Sequence, residues 1–247
     1  MKWRSHISIG RAIADRLQMP PGEKQAFLDG MVEPDRHNER IGNRHRSRRV
    51  GHHQPPRRVI MLHVWMARRS FLRNDNYQGC RHLGMALHYV QDRSTAKGLL
   101  GLSHDRRESA IADLDVPMDA VREGLRRYSP SPGFVSRSIS LTRPRKDPRS
   151  ALYQAAFRSA SISAAVMDLS KGSDFRRSYR AALRRHSLIF VPLAVGSLAI
   201  GLSLMVLWVS PIPFLISWFP VAAAAWMDRP YRRMSRLAAW HGLGRNK

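Results

Sequence analysis

Cysteine is nearly absent. Cys80 is the only one in 247 residues, which excludes an intramolecular disulfide and fits a reducing compartment. Acidic residues are scarce as well: 18 Asp and Glu stand against 42 Lys and Arg, a formal net charge of +24. Residues 1–128 carry 24 basic and 14 acidic side chains, net +10, and residues 129–247 carry 18 against 4, net +14. Such a balance says little about fold but implies a polyanionic partner, nucleic acid or an anionic lipid leaflet. The amino terminus lacks a continuous apolar run, because Arg11, Asp15 and Arg16 interrupt it, so no cleavable secretion signal is expected. Aromatic residues are missing from the Arg- and His-rich stretch 36–58. A single-strand nucleic-acid binder stacks bases on such residues, so their absence argues against a nuclease, although the arginines could make salt-sensitive phosphate contacts.

Helical spacing dominates what is present. His6, Ile9, Ile13 and Leu17 recur on one face of a first helix that Ser5 could cap and Pro20-Pro21 ends. A short helix over 21–29 follows, with Gly30 expected to break it and Asp35, just after Pro34, read as a turn or cap carboxylate. After the polar stretch, Val59, Leu62, Met66 and Phe71 mark a helix over 59–72, and Leu83, Leu87 and Val90 another over 77–91. Ser103 is placed to cap a helix reaching Leu114, and Pro117 opens one to about Tyr128, with Met118, Val121 and Leu125 apolar. Residues 129–147, rich in Ser, Pro and Arg, have the composition of a linker. Asp147 and Pro148 then start a helix with Leu152, Ala155, Ile162, Val166 and Leu169 on one face, and a basic helix spans 175–185.

No charged residue occurs from Ser187 to Met227. The first part, 187–209, is long enough to cross a bilayer at about 1.5 Å per residue, and Ile212–Met227 is shorter and carries Pro213 and Pro220. Arginines at 176, 177, 180, 184 and 185 flank one end, and those at 229, 232, 233 and 236 the other. If both segments span, the excess of arginine puts both ends, and with them the amino-terminal domain, in the cytoplasm. The expected layout is a helical domain over 1–128, a linker over 129–147, amphipathic and basic helices over 148–185, a transmembrane hairpin over 186–228 and a basic tail over 229–247.

Candidate ligands for a divalent ion are grouped upstream. His88 and Asp92 are four residues apart, as are His104 and Glu108. On a helix such pairs share a face with about 6 Å between Cβ atoms, close enough to pinch one ion. His6 and Asp35, and His52 or His53 from the polar stretch, could add further ligands. The phrases His6-Ile-Ser-Ile-Gly-Arg-Ala-Ile-Ala, Phe27-Leu-Asp-Gly-Met-Val-Glu-Pro-Asp35 and Leu83-Gly-Met-Ala-Leu-His-Tyr-Val-Gln-Asp92, followed by His104-x-x-x-Glu108, stand in one order. In that order they resemble the zinc-dependent phospholipase C family, which is related to the single-strand-specific fungal nucleases. The resemblance covers about the first 115 to 130 residues.

The resemblance implies an all-α fold, a multi-helix bundle of the phospholipase C type, here followed by the hairpin. It implies one to three zinc ions: a first held by Asp35, His52 or His53, His88 and Asp92, with Asp92 bridging toward an ion on His6, and another on His104 and Glu108. It implies hydrolysis of a phosphodiester by metal-activated water, with Asp35 orienting or deprotonating that water and a phospholipid head group as substrate. Two family features are missing. Asp92 is followed by Arg-Ser-Thr-Ala-Lys-Gly, with no histidine before His104, and Trp3 lies inside the chain rather than at a processed terminus that could offer its amine. Two other functions fit the same residues: a nuclease-like phosphodiesterase, and a non-catalytic membrane protein whose basic helices hold anionic lipid.

Overall fold

The computed structural model describes residues 1–36, 40–41, 48–49, 55–96, 104–169 and 172–243. The described residues are mainly helical; their one strand pair is a two-residue antiparallel ladder, Arg40–Ile41 with Arg48–Arg49. They divide into two units, Met1–Leu169 and Ser170–Lys247.

In the first unit α1 (Trp3–Arg16) buries His6, Ile9 and Ile13, the face its spacing predicts. Ser5 is not its cap; it lies within the helix, buried. Helix α2 (Pro21–Arg36) does not break at Gly30. It continues because Gly30 and Gly84 let its backbone approach that of α4 (Asn76–Ser94). A Cβ on Gly30 would collide with the Arg81 carbonyl, and one on Gly84 with the Phe27 carbonyl. Absence of a side chain here serves close packing rather than a turn. Asp35 is therefore carried on the last turn of a helix, and Arg81 holds that turn through a bidentate pair with Glu33, Nε to Oε2 at 2.7 Å.

Helix α3 (Arg57–Leu72) buries Val59, Ile60, Val64, Ala67 and Phe71 together with His63 and Arg68. Leu62 and Met66, expected on the inner face, are exposed, so the true stripe is rotated toward the polar residues. Arg68 explains its own burial: its guanidinium donates to the carbonyls of Val166 and Asp168, both at 2.8 Å. These lie at the end of α8 (Pro148–Met167), a helix rich in Ala and Ser that sits in the middle of the unit. Asp147 caps α8 as its position predicts, accepting from the Ser150 amide at 2.8 Å. Leu169, expected on its apolar face, is exposed beyond the helix end.

Two shorter helices, α5 (His104–Ala112) and α6 (Met118–Arg126), complete the expected set. The stretch 129–147 is not a plain linker. It contains α7 (Pro132–Leu141), whose Val135 and Ile139 are fully buried and whose Ser131 accepts from the Phe134 amide at 3.2 Å. A parallel bridge between Thr95 and Arg145 ties its far end to the same unit. Ser-Pro followed by apolar residues four apart is a helix start, and the surrounding arginines mask it.

In the second unit α9 (Gly172–Arg185) continues through a π-helical turn, His186–Phe190, into α10 (Val191–Trp208). Val209, in the left-handed region at φ 50°, closes α10, and α11 (Ile212–Met227) and α12 (Arg229–Ala238) follow. Helices α10 and α11 meet at Gly201, where a Cβ would lie 2.5 Å from the Ser217 hydroxyl; small residues permit this approach. The outward faces are apolar: Val206, Leu207 and Phe219 are 69%, 73% and 83% exposed. Exposed apolar surface of this extent marks a face that packs against lipid or another protein. Among the described residues one helix, Phe175–Trp208, is long and apolar enough to cross a membrane.

Candidate metal centre

Helices α1, α2 and α4 converge on a buried cluster. His6 comes from the second turn of α1, Asp35 from the end of α2, and His88 and Asp92 from one face of α4. The two imidazoles stack with centroids 4.3 Å apart. His88 Nδ1 lies 2.8 Å from the Met31 carbonyl, and His6 Nδ1 lies 2.7 Å from Gln91 Oε1. Both partners are carbonyl oxygens, which only accept, so each Nδ1 must carry the proton. Each Nε2 then bears the free lone pair when the ring is neutral. Tying one ring nitrogen to a carbonyl in this way is how proteins orient a ligating histidine.

Those Nε2 atoms face carboxylates. His6 Nε2 is 3.3 Å from Asp92 Oδ1; His88 Nε2 is 3.4 Å from Asp92 Oδ2 and 3.4 Å from Asp35 Oδ1. Both Nε2 atoms are fully buried without a hydrogen-bond partner. Charge-assisted hydrogen bonds close to about 2.7–2.9 Å, and these contacts have not. Ligand atoms around a tetrahedral ion with bonds of about 2.0–2.2 Å lie about 3.3–3.6 Å from one another, the separation found here. The ligand atoms of His6, Asp35 and His88 all fall within 4.8 Å, so this group could hold a metal ion. Two imidazoles and carboxylate oxygen form a donor set for a borderline divalent cation.

The carboxylates and the basic groups of the cluster shift one another. Burial alone would raise the Asp92 carboxyl, but His88, His6 and the Met1 amine outweigh it and hold it well below the usual range. Burial likewise opposes charge on His88, yet Asp92 and Asp35 push it up to about 9. His6, deeper still, is lowered by burial and by the charge of His88. For Asp35 the penalty of partial burial is overcome by the neighbouring His88 imidazole, 3.4 Å away, whose charge keeps it low.

Glu108 belongs to the same cluster by way of a group the sequence did not flag. The Met1 amine lies 2.6 Å from Asp92 Oδ1 and 2.9 Å from Glu108 Oε1, linking α4 to α5. Burial disfavours its charge, but the two carboxylates prevail and raise it. Trp3 itself, inside the chain, offers no amine; the amine that reaches the cluster is that of Met1, just before α1. The His104 side chain and residues His52 and His53 lie outside the described residues. Gln91 was also missed. Its amide nitrogen donates to Ser159 Oγ at 3.2 Å, which turns its oxygen toward His6. The position of Gln91, between Val90 and Asp92 on a buried helix, was the only available signal. Comparison with protein-family models, curated proteins and solved structures finds no match for this chain.

Proposed function

We propose that residues 1–169 form a zinc-dependent phosphodiesterase of the phospholipase C type, kept beside its phospholipid substrate by a transmembrane hairpin over 186–228. The observation that carries this reading is the pair of orphaned Nε2 atoms of His6 and His88, aimed at Asp35 and Asp92 at tetrahedral-ion spacing. The order of the phrases that resemble the phospholipase C family supports the choice of zinc and of a phosphodiester. His6, Asp35, His88 and Asp92 would hold the first ion. Glu108, with the Met1 amine beside it, and the expected His104 and His52 or His53 would extend the set toward a second or third. Bound zinc supplies a water of lowered pKa, polarises the phosphoryl oxygens and stabilises the leaving alkoxide.

The chain's own residues divide the remaining work. Asp92, with its side chain 3% exposed, is sealed and serves as anchor for both imidazoles. Asp35, 23% exposed, is the member of the cluster most open to solvent. Ionised at neutral pH, it orients the attacking water and takes its proton as the phosphorus–oxygen bond to the leaving alcohol breaks. Met31 and Gln91 fix the rings, so the donors need no rearrangement. The arginines flanking both ends of the hairpin favour a cytoplasmic amino-terminal unit.

The test uses the full chain purified in detergent. Elemental analysis should find zinc, and a chromogenic phosphocholine diester should be cleaved; His88→Ala with Asp92→Ala should remove both. A fully zinc-loaded preparation that hydrolyses no diester would overturn the enzymatic reading.

A further inference from the structure

The second unit carries a basic groove that the metal chemistry does not use. Arg176, Arg177, Arg180 and Arg184 line, with Ala181, a cavity of about 400 Å³ along α9. No carboxylate among the described residues takes part in its lining. Arg176, Arg180 and Arg184 stand at successive i, i+4 positions, one above another on the same helix face. Like charges so spaced repel, so the helix gains when an anion enters between them.

Their position relative to the apolar run matters. Helix α9 enters α10 without a break, and Arg184 is four residues before Leu188. At about 1.5 Å per residue, Arg184 and Arg180 lie about 6–12 Å from the start of the lipid-facing surface. The polar layer adds about 5–8 Å on each side of the hydrocarbon core, so Arg184 stands at head-group depth and Arg180 just outside it, where its long side chain faces the phosphates from the water side.

Aromatic contacts hold α9 and the turn that follows it against α12 and the chain just beyond it. Tyr231 of α12 stacks on His186 with centroids 4.0 Å apart and an interplanar angle of 13°, and Phe175 lies 4.5 Å from His241. His186 Nδ1 and Asp228 Oδ2 are 2.7 Å apart, so the acid nearest this end of the hairpin is committed to a histidine rather than to the arginines. Guanidinium groups present planar forks of N–H donors that match phosphate oxygens two at a time. Four such forks in one groove exceed what a single phosphodiester can neutralise. Basic pockets beside membrane helices take head groups with several phosphates for this reason.

We propose that the α9 groove is a binding site for an anionic phospholipid whose head group carries more than one phosphate. The site depends on Phe175–Trp208 lying in a membrane and not on the metal centre, so it stands or falls independently of the zinc reading.

The experiment titrates delipidated full-length protein, in a neutral detergent, with cardiolipin, phosphatidylglycerol or phosphatidylcholine, and counts bound lipid by native mass spectrometry. Cardiolipin should bind one to one, at least tenfold more tightly than phosphatidylglycerol, with phosphatidylcholine not retained. Arg180→Gln with Arg184→Gln should lower cardiolipin affinity tenfold or more. Arg180→Lys with Arg184→Lys, which keeps the charge but not the forks, should lower it as well. Arg232→Gln with Arg233→Gln, on α12, should leave it within twofold. Equal loss from both glutamine pairs, or phosphatidylglycerol binding as tightly as cardiolipin, would reduce the groove to bulk surface charge and overturn the proposal. So would a single-stranded oligonucleotide that displaces cardiolipin at comparable concentration.

Discussion

His6 and Gln91, 85 residues apart in sequence, share a 2.7 Å hydrogen bond in which the imidazole Nδ1–H donates to the amide oxygen. In this orientation the amide nitrogen donates to Ser159 Oγ at 3.2 Å, so both ends of the amide are engaged. Gln91→Leu removes the acceptor that faces the Nδ1–H of a fully buried ring. A buried donor left unsatisfied costs about 1–3 kcal/mol, and loss of a partner behind a metal-ligating histidine lowers affinity about 10–100-fold. Denaturant unfolding and chelator competition measure the two effects separately. Unchanged zinc affinity in a folded Gln91→Leu protein would mean that His6 is not a ligand.

Zinc should stabilise the fold. A ligand present at about 100 times its dissociation constant adds about 2.7 kcal/mol, which for a unit of this size raises Tm by about 5–10 °C. Excess EDTA should reverse the shift, and His88→Asn should abolish it. A protein that retains zinc by elemental analysis, with the same Tm before and after EDTA treatment, would place the ion away from this cluster.

Sequence periodicity revealed most of the helices, and the buried faces of α1 and α4, but not α7, the face of α3 or the end of α2. Helix α2 was cut short at Gly30 because a lone glycine reads as a breaker, whereas here it answers Gly84 across an interface with α4. That relation links residues 54 apart and leaves no local trace. In α3 the apolar residues Leu62 and Met66 were assigned inward, yet the inner face includes Arg68, whose burial makes sense only once the end of α8 is in place. The cluster was more legible. His88 and Asp92 are one turn apart on a helix, so their convergence is local, and His6 and Asp35 join them as the ordered phrases imply. Gln91 and the Met1 amine were not legible, because neither residue type announces a role without its partners.

The contact of α2 with α4 sets the spacing between Asp35 and His88. Gly84→Ala drives a Cβ into the Phe27 carbonyl, which must move. Overpacking of this kind costs about 1–3 kcal/mol. It should also weaken zinc binding, since Asp35 moves with α2. Gly133→Ala, where nothing lies within 4 Å, is the control and should be neutral or slightly stabilising. Urea denaturation of both variants checks the difference; equal midpoints would show that the glycine contact does not govern packing.

Cys80 should be inert in the folded protein. It is buried on α4, and burial, with a smaller contribution from Glu23, pushes its thiol up to about 12. Since the thiolate is the nucleophile, alkylation at pH 8 needs both exposure and a lower pKa. Iodoacetamide should leave the native chain unlabelled over hours and modify it fully in guanidinium chloride. Rapid native labelling would mean that α4 opens readily.

His82 gives the first unit a dependence on acid. Its pKa is lowered, first by burial and then by the nearby charges of His63 and Arg81, against smaller opposite effects of Glu33 and Asp75. The unfolded state therefore takes up a proton near the ordinary value of 6.5 that the folded state resists. For a base lowered on folding, the contribution to stability is complete above pH 6.5 and fades as pH falls through the folded value. Replacing His82 with Gln removes that proton from both states. The variant should lose less Tm than the parent between pH 7.5 and pH 5.5, whatever its stability at pH 7.5. His6 is lowered in the same direction, so the parent slope will not vanish in the variant, and the quantity that matters is the difference between the two slopes. Thermal scans at pH 7.5, 6.5 and 5.5 in EDTA measure it, and coincident slopes would show that His82 is solvated in the native protein rather than held neutral beside His63.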